Sequence, residues 1–88
     1  MHYVYLLYSE TSDRFYIGST GNLEQRIHAH NGGNNISTKH GAPWRLVYFE
    51  AYEERSDALA REQRLKHHGK GIAELKKRLT LRRQKGAG

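Results

Sequence analysis

The chain has 88 residues, no cysteine and a formal net charge of +6 at pH 7. This length allows one small domain that buries roughly 60 to 65 % of its surface, and we expect it to exclude a three-layer or multidomain build. The lack of cysteine excludes a disulfide framework and a thiolate metal site. No apolar stretch approaches the ~20 residues that span a bilayer, and the chain enters a strand without a charged leader. We therefore expect a cytoplasmic protein with no membrane partner.

The positive charge is concentrated at one end of the chain. Residues 1 to 63 carry six Lys/Arg and eight Asp/Glu, whereas residues 64 to 88 carry nine Lys/Arg and one Glu. Such asymmetry is typical of a domain that binds a polyanion, most commonly nucleic acid, although a solvated tail that aids solubility is the alternative. The basic residues predicted to contact nucleic acid here are Lys66, Lys76, Lys77, Arg82 and Arg83.

Two runs rich in β-forming residues open the chain and predict a β-hairpin. They are Tyr3–Tyr8 and Arg14–Gly18, and the polar turn residues 9 to 13 separate them.

The register of this hairpin decides which side chains meet. A turn centred just after Glu10 would pair Tyr5 with Tyr16 and Tyr3 with Gly18. Because opposed residues share a face, two phenols would lie side by side, and the glycine would leave a space for a bulky ligand next to them.

A helix is predicted after the hairpin. Asn22 can cap it and Gln25 can reach back to the cap, and the helix should run to about Asn31 before two glycines end it. The positions expected to face inward are Leu23, Ile27 and His30, with Arg26 on the same flank as the histidine. The polar segment 34–42 that follows is predicted to be a loop that can contact a ligand.

The third strand is predicted at Trp44–Ala51. Strict alternation would put Leu46 and Tyr48 on one face and Val47 and Phe49 on the other.

A second helix, capped by Ser56, should end near His68 and Gly69. Its predicted inward positions are Ala58, Leu59, Leu65 and Lys66. Glu62 lies among them, and because burying an unpaired carboxylate is costly, we expect a basic side chain or a cation to neutralise it. A third helix should bury Ile72, Leu75 and Leu79.

The fold predicted from these elements is α+β. A three-stranded antiparallel sheet packs with three helices in the order β-β-α-β-α-α, in one domain over residues 1–83, and residues 84–88 fray.

The ordered set Tyr5, Tyr16, Arg26, His30 and Glu62 resembles the GIY-YIG nucleases. Tyr3-Val4-Tyr5 matches their Gly-Ile-Tyr element and Tyr16-Ile17-Gly18 their Tyr-Ile-Gly element, and the resemblance runs roughly from Tyr3 to Leu79. It is greatest to small, stand-alone, single-domain bacterial members. Two departures stand out: Tyr3 replaces the first glycine, and no asparagine follows Glu62, where many members carry one near the metal.

The resemblance implies a separate role in phosphodiester hydrolysis for each of these residues. Glu62 would be the single ligand of one divalent ion, Mg²⁺ or Mn²⁺, which prefers carboxylate oxygen. Arg26 would clamp the scissile phosphate, and Tyr5 and Tyr16 would position and deprotonate the attacking water, in an order that sequence leaves open. His30 would orient a tyrosine or the water.

Each of these residues also has a structural interpretation. Arg26 could form a salt bridge with Glu24 or Glu62, the tyrosines could be core residues with satisfied hydroxyls, and His30 could be a hydrogen-bonded histidine on a helix flank. The residues outside the basic segment that are predicted to contact phosphate are Ser19, Lys39 and His40, although Ser19 could instead cap a turn.

The sequence thus predicts a monomeric, metal-dependent endonuclease. Its predicted substrate is branched, flapped or damaged DNA, in preference to RNA. Two alternatives remain open. The missing asparagine suggests a nucleic-acid-binding module with little hydrolysis of its own. The absence of an appended DNA-binding domain suggests a nuclease subunit that needs a partner protein for substrate recognition.

Overall fold

The structure is a computed structural model that describes residues 1–32, 40–67, 73–75 and 77–78. The strands are β1 (His2–Ser9), β2 (Arg14–Thr20) and β3 (Trp44–Tyr52), and the helices are α1 (Leu23–Asn31) and α2 (Arg55–His67). Residues 73–75 and 77–78 are helical and form α3. The sheet is antiparallel in the order β2-β1-β3, so the predicted fold and element order are confirmed.

Helices cover both faces of this sheet. Alternate residues of β1 face opposite ways. Val4 packs with Ala58, Leu65 and Leu75 of α2 and α3, on what we call the α2 face. The neighbouring Tyr5 belongs to a second core on the α1 face, whose other members include Leu7, Trp44, Leu23 and Ile27. The expectation that 88 residues exclude three layers is therefore wrong, because the nine-residue α1 is enough to cover part of the second face.

The hairpin register differs from the predicted one by two residues. Tyr5 pairs with Gly18 and Leu7 pairs with Tyr16. The turn has four residues between Ser9 and Arg14, and the Ser9 hydroxyl stabilises it by accepting hydrogen bonds from the Ser12 backbone N–H and hydroxyl at 3.2 and 2.9 Å. A shift of two residues keeps every side chain on its predicted face, so Tyr5 and Tyr16 still share one.

Strand β3 departs from strict alternation. Leu6 pairs with Tyr48 and Leu7 pairs with Leu46, so Val47 is an extra residue in a β-bulge. The bulge moves Leu46 into the α1 core and leaves Tyr48 in the α2 core, which corrects the prediction that these two residues share a face.

The first helix follows its prediction. The Asn22 side chain accepts a hydrogen bond from the backbone N–H of Gln25, α1 ends at Asn31, and His30 is fully buried. At its end, Asn31 donates its amide N–H to the carbonyl of Trp44 at 2.9 Å and accepts the Trp44 backbone N–H, which joins α1 to the start of β3.

The second helix begins at Arg55, two residues earlier than a helix capped by Ser56 would, so Ser56 lies inside it and is not its cap. Its buried positions are Ala58 and Leu65, two turns apart, whereas Leu59 is 39 % exposed and Lys66 is also exposed. One residue is a 100° rotation on a helix, and this rotation turns the two predicted inward positions to solvent.

The third helix buries Leu75 as predicted, whereas Ile72, Leu79 and the frayed tail predicted at 84–88 lie outside the described residues. Within the described ranges, no helix has both the length and the apolar character needed to cross a membrane.

Candidate active site

Two tyrosines and a histidine meet on the α1 face. The Tyr5 hydroxyl and His30 Nε2 are hydrogen-bonded at 3.0 Å in a buried contact. The Tyr16 ring lies edge-on to the His30 ring with centroids 4.8 Å apart, and 6.4 Å separates the two phenol rings. Tyr5 is 2 % exposed while Tyr16 is half-buried, so Tyr16 is the more accessible of the two phenols.

The close approach of Tyr5 to β2 depends on Gly18. A Cβ at position 18 would lie 2.4 Å from the Tyr5 hydroxyl oxygen and 2.6 Å from Cζ, closer than van der Waals contact allows. The space expected beside the phenols is therefore filled by the Tyr5 ring itself.

Burial sets the protonation of this cluster. It raises the pKa of Tyr5, as does the neighbouring Tyr16, while the positive charge of Arg26 acts against this shift. Burial, followed by Arg26, lowers the pKa of His30, so the imidazole is neutral at pH 7. A neutral imidazole next to a protonated phenol is a donor and acceptor pair, so each of the two buried side chains satisfies a polar atom of the other.

Arg26 projects from α1 beside an open groove. The groove has a volume of about 260 Å³ and is lined by Thr20, Asn22, Gln25, Arg26 and Ala29. The Arg26 side chain is exposed and forms no salt bridge within the described ranges, so the alternative of a bridge to Glu24 or Glu62 is wrong. An exposed guanidinium in a groove is suited to bind a phosphate through two parallel hydrogen bonds.

Glu62 lies on the other side of the edge strand β2. Ser19 donates its hydroxyl to Glu62 Oε1 at 2.7 Å, and Lys66 Nζ lies 2.8 Å from Oε2. Burial disfavours the charged form of Glu62, but the hydrogen bonds from Lys66 and Ser19 outweigh it and lower the pKa of the carboxyl group. We expected a basic side chain or a cation to neutralise Glu62, and the structure shows that the basic side chain of Lys66 does so.

The two halves of the site meet at adjacent residues of β2. Gly18 contacts Tyr5 on the α1 face, and Ser19 contacts Glu62 on the α2 face. The negative charge of Glu62 contributes to the raised pKa of Tyr5, so the two halves interact electrostatically across the strand. A ligand that touches both must bind over the outer edge of β2.

Arg61, the residue before Glu62, fixes the rotation of α2 about its own axis and thereby the direction in which Glu62 projects. Arg61 donates two hydrogen bonds to the Glu50 carboxylate at 2.9 and 3.0 Å, and the hydroxyls of Tyr48 and Tyr52 donate to the same carboxylate. Burial opposes ionisation of Glu50, but these hydrogen bonds lower its pKa overall, so the cluster is anchored by a charged acceptor.

The donor set is compatible with one hard cation. No cluster of three or more His, Cys, Asp or Glu suited to a metal occurs in the part of the chain that the structure describes. Glu62 offers a carboxylate on a side chain that is 12 % exposed, with one protein donor on each oxygen, which leaves lone pairs for an ion. Mg²⁺ and Mn²⁺ can bind through one carboxylate and complete their shells with water and substrate phosphate.

The predicted nucleic-acid contacts divide into three groups. Ser19 forms a hydrogen bond and Lys66 a salt bridge with Glu62. His40 and Lys77 are exposed. The other four, Lys39, Lys76, Arg82 and Arg83, lie outside the described residues.

Sequence reasoning missed two features of the site. Thr20, Asn22 and Gln25 line the groove next to Arg26, a position that the helix start after a glycine could have indicated. The pairing of Lys66 with Glu62 was readable from their i, i+4 spacing on a predicted helix.

Comparison with known proteins finds one matching family and several relatives. The model of the GIY-YIG catalytic domain family matches residues 1–79. A UPF0213 protein of Clostridium perfringens is 43 % identical over 67 residues, which cover 75 % of this chain and 71 % of that protein. A UPF0213 protein of Haloquadratum walsbyi is 41 % identical over 69 residues, covering 76 % and 75 % of the two chains. No solved structure is a significant match.

Proposed function

Because this chain belongs to the GIY-YIG catalytic domain family, whose members are nucleases, we propose that it hydrolyses phosphodiester bonds in DNA with one Mg²⁺ or Mn²⁺ ion. The observation that supports this best is the meeting of two chemically different groups at the edge of β2. The tyrosine and histidine cluster contacts Gly18, and the carboxylate of Glu62 contacts the next residue, Ser19.

Arg26 binds the scissile phosphate in this proposal. Its side chain is exposed and positively charged in a groove that opens beside Thr20, the last residue of β2. Two hydrogen bonds from its planar guanidinium hold the phosphate and stabilise the extra negative charge of the transition state.

Tyr16 orients the attacking water, because it is the more accessible phenol. Tyr5 and His30 form the buried layer behind it, where the hydrogen bond at 3.0 Å between the Tyr5 hydroxyl and His30 Nε2 fixes the position of both rings. Loss of a side chain that is positioned on the attacking water in this way lowers the rate by about 10² to 10⁴.

Glu62 holds the divalent ion. Its lowered pKa keeps the carboxylate charged at neutral pH, and Ser19 fixes its orientation from β2. Bound there, the ion would supply positive charge to a phosphate oxygen. Lys66 forms a salt bridge with the same carboxylate, so the ion has to displace the ammonium group or bind the carboxylate together with it.

The two alternative functions each have some support in the site. Glu62 is already neutralised by Lys66, and Tyr5 is almost fully buried with a satisfied hydroxyl. Such a closed arrangement favours a module that binds nucleic acid without cleaving it, or a subunit that a partner protein activates.

The decisive experiment removes the charge of Glu62 at constant shape. Glu62→Gln should fold normally, lose nicking of plasmid, flap and junction DNA in Mg²⁺ or Mn²⁺, and bind Mn²⁺ more weakly by calorimetry. Glu53→Gln makes the same change at an exposed position and should keep both properties. Nicking by Glu62→Gln at the wild-type rate would refute the metal site, and a wild type that binds DNA but never cleaves it would favour the binding module.

A further inference from the structure

An aromatic surface is exposed on the α1 face of the sheet. Phe49 is 50 % exposed, and Tyr3 is partly exposed beside it with ring centroids 6.0 Å apart at 67°. We call these two residues the aromatic platform. A half-exposed phenylalanine costs free energy in water, since an apolar side chain is stabilised when its surface is removed from water.

The platform is continuous with the candidate site. Phe49 pairs with Tyr5 across β1 and β3, and Tyr3 pairs with Thr20 across β1 and β2. Paired residues on one face lie about 4.5–5.5 Å apart. Tyr3 therefore lies next to a residue that lines the Arg26 groove, and Phe49 lies next to the buried phenol of Tyr5.

We propose that the aromatic platform stacks unpaired bases of a single-stranded segment whose backbone phosphate is held by Arg26. This inference rests on the proposed nuclease function and specifies its substrate: nucleic acid with exposed bases, such as a flap, a gap or a frayed end. Proteins that bind single strands combine aromatic side chains on which bases stack with a positively charged groove that follows the phosphate backbone.

The paired bases of a duplex cannot make this contact, because their faces are covered by their neighbours in the stack. The platform would thus select single-stranded over double-stranded substrate without reading sequence, since every base has a π-face. A second protein seated on the same apolar surface is the competing explanation, and the experiment below distinguishes the two.

The test measures binding alone, in EDTA, so that no cleavage occurs. A short single-stranded oligonucleotide that contains 2-aminopurine and the duplex of the same sequence are titrated with wild type, Phe49→Leu, Tyr3→Leu and Phe49→Trp. Leucine keeps an apolar side chain but removes the stacking face, and tryptophan keeps that face. Leu59→Ala, which trims an exposed apolar side chain on α2, is the matched control.

We expect Phe49→Leu to weaken single-strand binding roughly 5- to 100-fold, the loss expected for one stacked base, and to relieve quenching of 2-aminopurine. Tyr3→Leu should act in the same direction, and duplex affinity should change little in either variant. Phe49→Trp should bind like wild type, and so should the Leu59→Ala control.

Unchanged single-strand affinity in both leucine variants, each with a wild-type melting temperature, would overturn the platform. So would an equal loss for single strand and duplex, or a wild-type dimer that dissociates in Phe49→Leu. None of these results depends on hydrolysis. If the leucine variants bind single strands normally while the wild type nicks DNA, only the stacking proposal is refuted. If the wild type stacks bases but never nicks DNA, only the proposed nuclease function is refuted.

Discussion

Glu62 is held by one partner near in sequence and one that is distant. Lys66 follows it by one helical turn, and Ser19 reaches it from β2. The hydroxyl is neutral and sets the orientation of the carboxylate, whereas the ammonium group carries the same sign of charge as a metal ion. The lysine is 39 % exposed at its side chain, so solvent weakens its hold.

Lys66→Met should therefore bind Mn²⁺ more tightly than wild type in the absence of DNA. The methionine keeps the length of the side chain and removes the competing cation, and a pair this exposed is worth about 0 to 1 kcal/mol, or roughly up to a fivefold change. Calorimetric titration with Mn²⁺ measures it. Lys77→Met makes the same charge change on an exposed position of α3 and should leave the affinity near that of wild type. Weaker Mn²⁺ binding by Lys66→Met would contradict competition.

Replacing each phenol by phenylalanine should affect the nicking rate and the stability differently. Tyr16→Phe should lower the rate of nicking by about 10² to 10⁴ with little change in stability, because it removes the accessible hydroxyl. Tyr5→Phe should lower the stability by about 1–3 kcal/mol, since it removes the hydroxyl that is hydrogen-bonded to Nε2 of the buried His30.

Urea denaturation and single-turnover nicking measure these two effects independently. DNA affinity in EDTA should stay close to that of wild type in both variants and serves as the control for folding of the site. If both variants cleave at the wild-type rate, the hairpin tyrosines are core residues and the roles given to them are wrong.

At the level of elements, the hairpin carries the site because β1 and β2 approach closely at one pair. Tyr5 lies over Gly18, and any side chain at that glycine would displace the ring. The strand pairing and the tyrosine position are thus coupled through a single missing methyl group.

Gly18→Ala should therefore destabilise the fold by about 1–3 kcal/mol, the usual cost of overpacking, and should weaken the hydrogen bond between Tyr5 and His30. Thermal denaturation and the imidazole NMR shifts of His30 report the two effects. Gly21→Ala is the matched control, because a Cβ there would meet its nearest neighbour, His2, at 3.7 Å, an ordinary contact. Equal melting temperatures for the two variants would show that the ring of Tyr5 can move away without cost.

The elements that sequence predicted well are those with local signals. Asn22 capped α1 as expected, because a cap and its partner lie three residues apart. The hairpin was predicted but not its register, since the Ser9 hydroxyl that supports a four-residue turn leaves no trace in the hydrophobic alternation. The bulge at Val47 was also hidden, because inserting one residue into a run of apolar side chains keeps the run apolar.

The candidate site was predicted as a set of residues but not as an arrangement. Tyr5, Tyr16 and His30 meet because two strands and a helix share one face, and that could be inferred from their periodicity. The position of Glu62 across the edge of β2 depends on how α2 docks, through Arg61 and Glu50, and this long-range ion pair has no signature in the sequence.

At the scale of the whole molecule, charge and site are separated along the chain. The first 63 residues, which contain all of the catalytic candidates, carry a net charge of −2, whereas the remaining 25 carry +8. Long-range attraction of a polyanion would then come mainly from the C-terminal quarter, and Arg26 would supply local positioning.

Neutralising Lys76, Lys77, Arg82 and Arg83 together should weaken binding about equally for all DNA sequences. The slope of log K against log salt concentration should flatten by roughly 0.9 for each phosphate of a duplex that the variant no longer neutralises. Fluorescence anisotropy at several salt concentrations measures the slope. Neutralising the exposed Arg14 and Arg55, which lie outside the basic segment, should alter it less. An unchanged slope in the quadruple variant would assign the basic segment to solubility.

The double hydrogen bond between Asn31 and Trp44 has a consequence for how this protein can vary. One amide side chain imitates the pairing of a neighbouring strand and joins the end of α1 to the first residue of β3, thirteen positions later. These hydrogen bonds, and not the residues between them, hold the two ends of the intervening segment together. Closing a longer segment costs little more, about 0.6 kcal/mol for each doubling of its length. We therefore expect insertions and deletions between Asn31 and Trp44 to leave His30 in place, because it lies one residue before Asn31.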